Sequence, residues 1–263
     1  TTLFLGMPSA AHAVADGTVN CGTSGTFTIA SNVVTGHSSC VGTVAIPEGV
    51  TGIAQNAFMY AGVTTMTIPA SVTTITGTPF NCYAGSLISI TVEPTNPNYS
   101  STDGVLFNKL QAELLVYPAS KTGVSYLIPA TVLTLRSCSF SANKFLTSID
   151  LPNTLVTMGV NAFLDAVSLQ TVTVGTGLNS WGAQSFTRNR LLTSFTIDPS
   201  NASFTSTDGI AYNKNKTRLV AYPIGNALTS YTSPTSATTT EQALFVNSVN
   251  LLTANLSSVA TLD

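Results

Sequence analysis

Charge is scarce in this sequence. Only 8% of its 263 residues are Asp, Glu, Lys or Arg, and the formal net charge is −2. Nucleic-acid binding needs clustered Lys and Arg to release counterions, and a membrane-surface patch needs a polybasic run, so the composition argues against both. Histidine is limited to His12 and His37. His37 lies in Gly36-His37-Ser38-Ser39 with no carboxylate near it in sequence, whereas a nucleophilic triad needs an oriented base and a third group. There is no G-x-S-x-G, and Glu93 has no acidic neighbour with which to form a glycosidase pair. The sequence therefore offers no catalytic set, and a non-enzyme is expected. No apolar run reaches the roughly 18 residues of a membrane-spanning helix. None of the four cysteines forms a C-x-x-C pair, so no zinc site is indicated. Asp103-Gly104 and Asp208-Gly209 look like calcium-loop fragments, but each brings a single carboxylate and reads better as a turn. No metal or cofactor is expected.

What is present is hydroxyl-rich and periodic. The start of the chain, Leu3-Phe4-Leu5-Gly6-Met7 followed by Ala11-His12-Ala13, reads as the end of a secretory signal peptide. Residues 1–13 are taken as that remnant, which implies a secreted or cell-surface protein. Residues 14–42 read as an N-terminal cap. In it Thr26-Phe27-Thr28-Ile29 alternates like a strand, Ser31-Asn32 turns, and Val33-Val34 begins a return strand. A disulfide between Cys21 and Cys40 is expected to close this Gly/Ser/Thr-rich segment. Cys82 and Cys138 stand near Phe80 and Phe140 of different repeats and are expected to be buried free thiols, packed as small hydrophobes.

From residue 43 to 263 the chain is repetitive. Counting from Pro47, apolar residues fall at +3, +6 and +11: Val50, Ile53 and Phe58. The pattern returns from Pro69, Pro129 and Pro152, and Gly175 takes the proline position next, with Leu178, Trp181 and Phe186 after it. The period is 22 to 23 residues. A unit this short cannot bury a face alone, so a stacked solenoid is predicted. Before each Pro the residues alternate, as in Ile149-Asp150-Leu151 and Val172-Thr173-Val174, which predicts a short strand stopped by the proline. One parallel sheet is expected from these strands, with a short helical turn around Asn161-Ala162-Phe163.

Two insertions interrupt the array, at 94–118 and 199–223, and align without a gap at an offset of 105 residues. Thr102-Asp103-Gly104 matches Thr207-Asp208-Gly209, and Tyr117-Pro118 matches Tyr222-Pro223. Each is expected to form a β-hairpin. Phe107, Tyr117, Phe204, Tyr212 and Tyr222, together with Tyr99, are either core or contact residues.

The pattern L-x-x-I-x-L-P-x-x-L-x-x-M…A-F, joined to the paired "STDGVLF…LLVYP" insertions, resembles the BspA-type leucine-rich repeat proteins of bacterial surfaces. The resemblance covers nearly everything from Val44 onward. It implies a leucine-rich repeat solenoid of the α/β-horseshoe class, β-rich, in a secreted or surface-anchored protein used for adhesion or binding. The position of the usual asparagine ladder holds Ser71, Thr95, Thr154, Gly177 and Ser200, so the turn chemistry departs from the common horseshoe.

The candidate binding surface is the outward face of the strands. Thr65 and Thr67, Ser89 and Thr91, Ser148 and Asp150, Thr171 and Thr173, and Ser194 and Thr196 alternate with the core residues and would form two columns. A solvated sheet face must be polar in any case, since Thr favours strands. The expected partner is an extracellular protein or glycan. The alternative is a structural spacer within a longer surface protein.

Overall fold

The alternation ahead of each proline becomes a short strand, and the strands stack in parallel. The computed structural model describes residues 14, 16–241 and 244–262. The signal remnant expected at 1–13 lies outside the described residues. A first ladder pairs Val33–Ala45 with Gly62–Ile68 and then with Ser89–Val92. It resumes as Ser148–Leu151, Thr171–Val174 and Ser194–Ile197, and ends with Ser230–Thr232 beside Thr253–Asn255. Along these strands Met66, Ile68, Ile90, Val92, Ile149, Leu151, Val172, Val174, Phe195 and Ile197 are buried.

A second ladder of very short strands lies around the +6 position. Gly52–Ile53 pairs with Thr74–Ile75, and Thr134–Leu135, Thr157–Met158 and Ser180–Trp181 follow one another. Each coil thus contributes to two parallel ladders rather than to one sheet. Between this ladder and the next coil, the +11 aromatics form a stack. Phe140 lies 4.8 Å from Phe163, and Phe163 lies 5.0 Å from Phe186, with nearly parallel rings.

The helical turn expected around Phe163 does not form, and no α-helix occurs among the described residues. The residue two before the Phe is left-handed in several coils: Asn56 (φ 63°), Cys138 (61°), Asn161 (57°) and Gln184 (56°). A left-handed residue at this place breaks a helix, which needs consecutive φ near −63°. The backbone here bonds from coil to coil instead, as in Phe140 N–H to Ala162 O (2.7 Å) and Phe163 N–H to Ser185 O (2.8 Å).

The insertions divide the array. In the first, Tyr99–Thr102, Val105–Asn108 and Glu113–Val116 form an antiparallel meander, one strand more than a hairpin. Its last strand then joins the second ladder, pairing in parallel with Thr134–Leu135. The tip, Asp103 (φ 50°) and Gly104 (φ 75°), is a tight turn with two consecutive left-handed residues, which Asp and Gly tolerate. It folds over the edge of Ser89–Val92, where Ile90 N–H donates to Gly104 O and Val92 N–H to Ser101 Oγ, both at 2.9 Å. The second insertion does the same: Phe195 N–H donates to Gly209 O and Ile197 N–H to Ser206 Oγ. The insertion therefore takes the place of the next strand, and the single sheet expected from the periodicity is broken into pieces.

At the N-terminus, Gly17–Asn20, Ser24–Ala30 and Val33–Ala45 are antiparallel neighbours. The last of them pairs with the second ladder at its start, through Val33 and Val34, and runs on across residues 42 and 43 into the first ladder, so this unit and the solenoid share a strand. Cys21 and Cys40 are disulfide-bonded, with Cα atoms 5.2 Å apart. Cys82 and Cys138, expected as free thiols, are also bonded, with Cα atoms 4.7 Å apart. The spacing near two different Phe residues concealed this. The first insertion supplies the intervening coil through Leu115–Tyr117, and the loops on either side meet beside it.

Buried asparagines link the coils, although the usual ladder position lacks them. Asn96 and Asn201 are fully buried. Asn96 Nδ2 donates to Pro69 O and Val72 O, while its Oδ1 accepts from Asn98 and Tyr99 N–H. Asn201 repeats the arrangement with Gly175 O, Leu178 O and the amides of Ser203 and Phe204. Both stand one residue beyond the usual ladder position, which Thr95 and Ser200 occupy.

Candidate functional site

The strand face is built from residues held outward by strict alternation with the core. Thr65 pairs with Ser89 and Thr67 with Thr91 in the first piece of the sheet. Ser148, Thr171 and Ser194 form one row of the second piece, and Asp150, Thr173 and Thr196 form the other. The structure thus collects the ten residues into two separate patches. The first insertion lies between them.

The patches differ in openness. Thr65 and Thr67 are half-buried, and Thr65 Oγ1 donates to Thr43 Oγ1 at 3.0 Å. Ser89 lies under the tip of the first insertion, where a Cβ on Gly104 would come within 2.7 Å of its hydroxyl. Ser194 is covered in the same way by Gly209. Asp150, Thr171, Thr173 and Thr196 are exposed and adjacent. They form the larger accessible part of the face; in the first patch Thr91 alone of the four is exposed.

Two features of this patch escaped the sequence reading. Leu127 forms a parallel bridge with Asp150 and is 87% exposed, so an apolar side chain heads the acidic and hydroxyl row. It stands two residues before Pro129 just as Asp150 stands two before Pro152, and that register places it on the face. At the other end of the strands a groove of about 410 Å³ opens among Asn153, Thr173, Gly175, Thr196, Asp198 and Pro199. It arises where Gly175 replaces the repeated proline. A side chain there would meet Asn153 Oδ1 at 2.5 Å.

The aromatic residues of the insertions are largely core. Phe107, Tyr117, Phe204, Tyr212 and Tyr222 are buried, and Tyr99 is half-buried with its hydroxyl accepting from Ile75 N–H at 2.7 Å. Burial pushes the Tyr117 phenol up to about 12, with Asp103 adding to it. Tyr126 is likewise pushed up to about 12, by burial first and then by Tyr117 and Asp103. Both stay protonated at neutral pH and act as packing. His37 is half-buried rather than a free surface side chain: Nε2 lies 2.8 Å from Met59 O, which sets it as the donor, and Nδ1 accepts from Cys40 N–H. Asp103 pairs with Lys121 at 2.9 Å. Among the described residues, no group of three or more His, Cys, Asp or Glu is placed to hold a metal ion. No described helix is long and apolar enough to cross a membrane.

Known proteins match this architecture. The family model for the BspA type leucine rich repeat region fits residues 23–126 and 120–224 in six copies. A leucine-rich repeat protein from Eubacterium ventriosum ATCC 27560 superposes with a TM-score of 0.65 at 27% identity, over 82% of this chain and 54% of its own length. A leucine rich cell surface protein from Faecalibacterium prausnitzii A2-165 gives 0.64 at 22% identity, over 84% of this chain and 63% of its own. The pneumococcal vaccine antigen PcpA gives 0.53 at 24%, over 80% and 47%. This chain therefore spans about half to two thirds of those structures' length. A comparison with curated proteins finds no significant match. With the family pattern covering most of the chain, the protein belongs to the BspA type leucine-rich repeat family.

Proposed function

We propose that this chain is a non-catalytic binding module of a secreted or cell-surface protein, and that it holds an extracellular protein or glycan on the strand face between its two insertions. One observation carries the reading. Asp150, Thr171, Thr173 and Thr196 form an exposed polar patch on Ser148–Leu151, Thr171–Val174 and Ser194–Ile197, headed by exposed Leu127 and continued by the groove at Gly175. A rigid sheet holds these side chains at fixed spacing, as solenoid binding surfaces do. Membership of the family supports the assignment, as does the cell-surface description of the Faecalibacterium neighbour.

The test is a binding screen of residues 14–263 against glycan and extracellular-matrix arrays, alongside a Thr173→Lys/Thr196→Lys variant. Saturable binding lost in the variant is the expected result. Binding that survives it moves the ligand off the strand face. A complete absence of binding favours a structural spacer instead.

A further inference from the structure

The two 105-residue blocks carry opposite charges at matched places. Glu113 corresponds to Arg218, and Arg136 to Glu241, each 105 residues further on. Glu113 and Arg218 stand on strands of the second ladder, pairing with Thr134 and Thr239, and Arg136 and Glu241 follow immediately after the neighbouring parallel strands Thr134–Leu135 and Thr239–Thr240. In the second block the charges close on each other, with Arg218 Nη2 bonded to Glu241 Oε1. In the first block they stand apart. Arg136 Nη1 reaches Ile75 O at 3.4 Å, and the Glu113 carboxylate has no ion-pair or hydrogen-bond partner among the described residues.

Between these open charges lies a groove of about 380 Å³, within the ~300–1,000 Å³ of small-molecule sites. Pro97 and Leu110 line it with the Tyr99 ring, and Leu110 is 80% exposed. Asn98 donates its Nδ2 to Thr73 O, which leaves Oδ1 as an acceptor. Lys109 spends its ammonium on Pro94 O and Asn96 O and so braces the wall while adding positive charge. In the second block Phe204, Ser203 and Asn215 replace Tyr99, Asn98 and Leu110, and the ion pair spans the site.

We propose that the first-block groove binds an acidic sugar, a uronic or sialic acid residue, independently of the strand face. The Arg136 guanidinium is a planar fork suited to a carboxylate. Among the other groups lining the groove, Glu113 and Asn98 Oδ1 are free acceptors and Asn108 Nδ2 is a free donor, its Oδ1 being taken by the amides of Ala112 and Glu113; this mixture suits sugar hydroxyls, which both donate and accept. The apolar wall at Pro97 and Leu110 receives the C–H face of the ring.

The experiment is a ligand-observed NMR titration of the whole chain with N-acetylneuraminic acid and glucuronic acid. Their methyl esters, glucose and the dipeptide Gly-Asp serve as comparison ligands. Saturable binding of at least one acid is expected, weakened roughly tenfold or more by Arg136→Gln and by esterification, since each removes a charge-assisted bond. Arg190→Gln, which changes an exposed arginine outside the groove, and Thr173→Lys/Thr196→Lys leave this binding intact. The last variant separates the groove from the strand face. Arg136→Lys retains the charge and loses the fork, so it serves as the reading should Arg136→Gln fail to fold. No saturable binding of either acid, binding insensitive to both Arg136 variants, or tighter binding of Gly-Asp than of the acids would overturn the proposal.

Discussion

Cys82 and Cys138 are bonded across the first insertion, 56 residues apart in sequence and 4.7 Å apart at their Cα atoms. The bond ties the coil of Phe80 to that of Phe140 at the place where the first ladder is interrupted. The second junction is built without one: Arg188 holds the place of Cys82, two residues after Phe186, and Ala243 that of Cys138. Converting both Cys82 and Cys138 to Ser should lower unfolding stability by about 2–4 kcal/mol, because the long loop becomes free in the unfolded chain. Denaturant unfolding monitored by circular dichroism measures this. An unchanged midpoint would show that the insertion needs no staple.

Gly175 is held by close approach rather than by an unusual φ. A Cβ there would lie 2.5 Å from Asn153 Oδ1 and 2.8 Å from both Asn153 N and Leu151 O. Gly175→Ala should therefore cost about 1–3 kcal/mol through forced shifts of backbone. Gly36, which has open space where its Cβ would be, is the matched control, and its change to Ala should stay within about 0.5 kcal/mol. Thermal melts of the two variants decide the point.

Asn201 lies in an N-x-S sequon but is fully buried, with its amide donating to Gly175 O and Leu178 O. Expressed through a glycosylating secretory pathway, the folded protein should carry glycan at exposed Asn215 and none at Asn201. Peptide mass spectrometry distinguishes the sites. Asn201→Ala should cost roughly 2–4 kcal/mol, since two carbonyls and two amides lose partners in the core. Glycan found on Asn201 of folded material would contradict the burial.

Tyr117 and Tyr126 have phenols pushed up to about 12 by burial. A raised pKa means that the folded state holds these protons more tightly than the unfolded chain does. Their contribution to stability is complete below about pH 10, the ordinary phenol value, and is lost as pH rises through about 12. Absorbance at alkaline pH should show these two phenols ionising well above pH 10 in the folded protein, and near pH 10 once denaturant has unfolded it. Coincident titration of all tyrosines near pH 10 in the folded protein would refute it.

The repeat and the position of its strands were legible because they rest on local, periodic chemistry. Alternation before a proline makes a strand whose inward residues can be counted, and Ile149, Leu151, Val172 and Val174 fall inside as the period requires. The 105-residue copying of Thr102-Asp103-Gly104 likewise marked both insertions. Helix and sheet continuity were not legible. Whether Asn161 takes a left-handed φ, or Gly104 O takes the place of the next strand, depends on neighbours in other coils.

The binding surface shows the same division. Sequence alone determined which residues face outward, including Asp150, Thr173 and Thr196, because side-chain direction along a strand has a period of two. Tertiary structure alone decided that Ser89 and Ser194 lie under the insertion tips, that Leu127 joins the row of Asp150, and that Cys82 meets Cys138. It also decided that Glu113 and Arg136 stand open while Arg218 and Glu241 close. Those outcomes turn on distances between residues remote in the chain, which packing sets and local pattern does not encode.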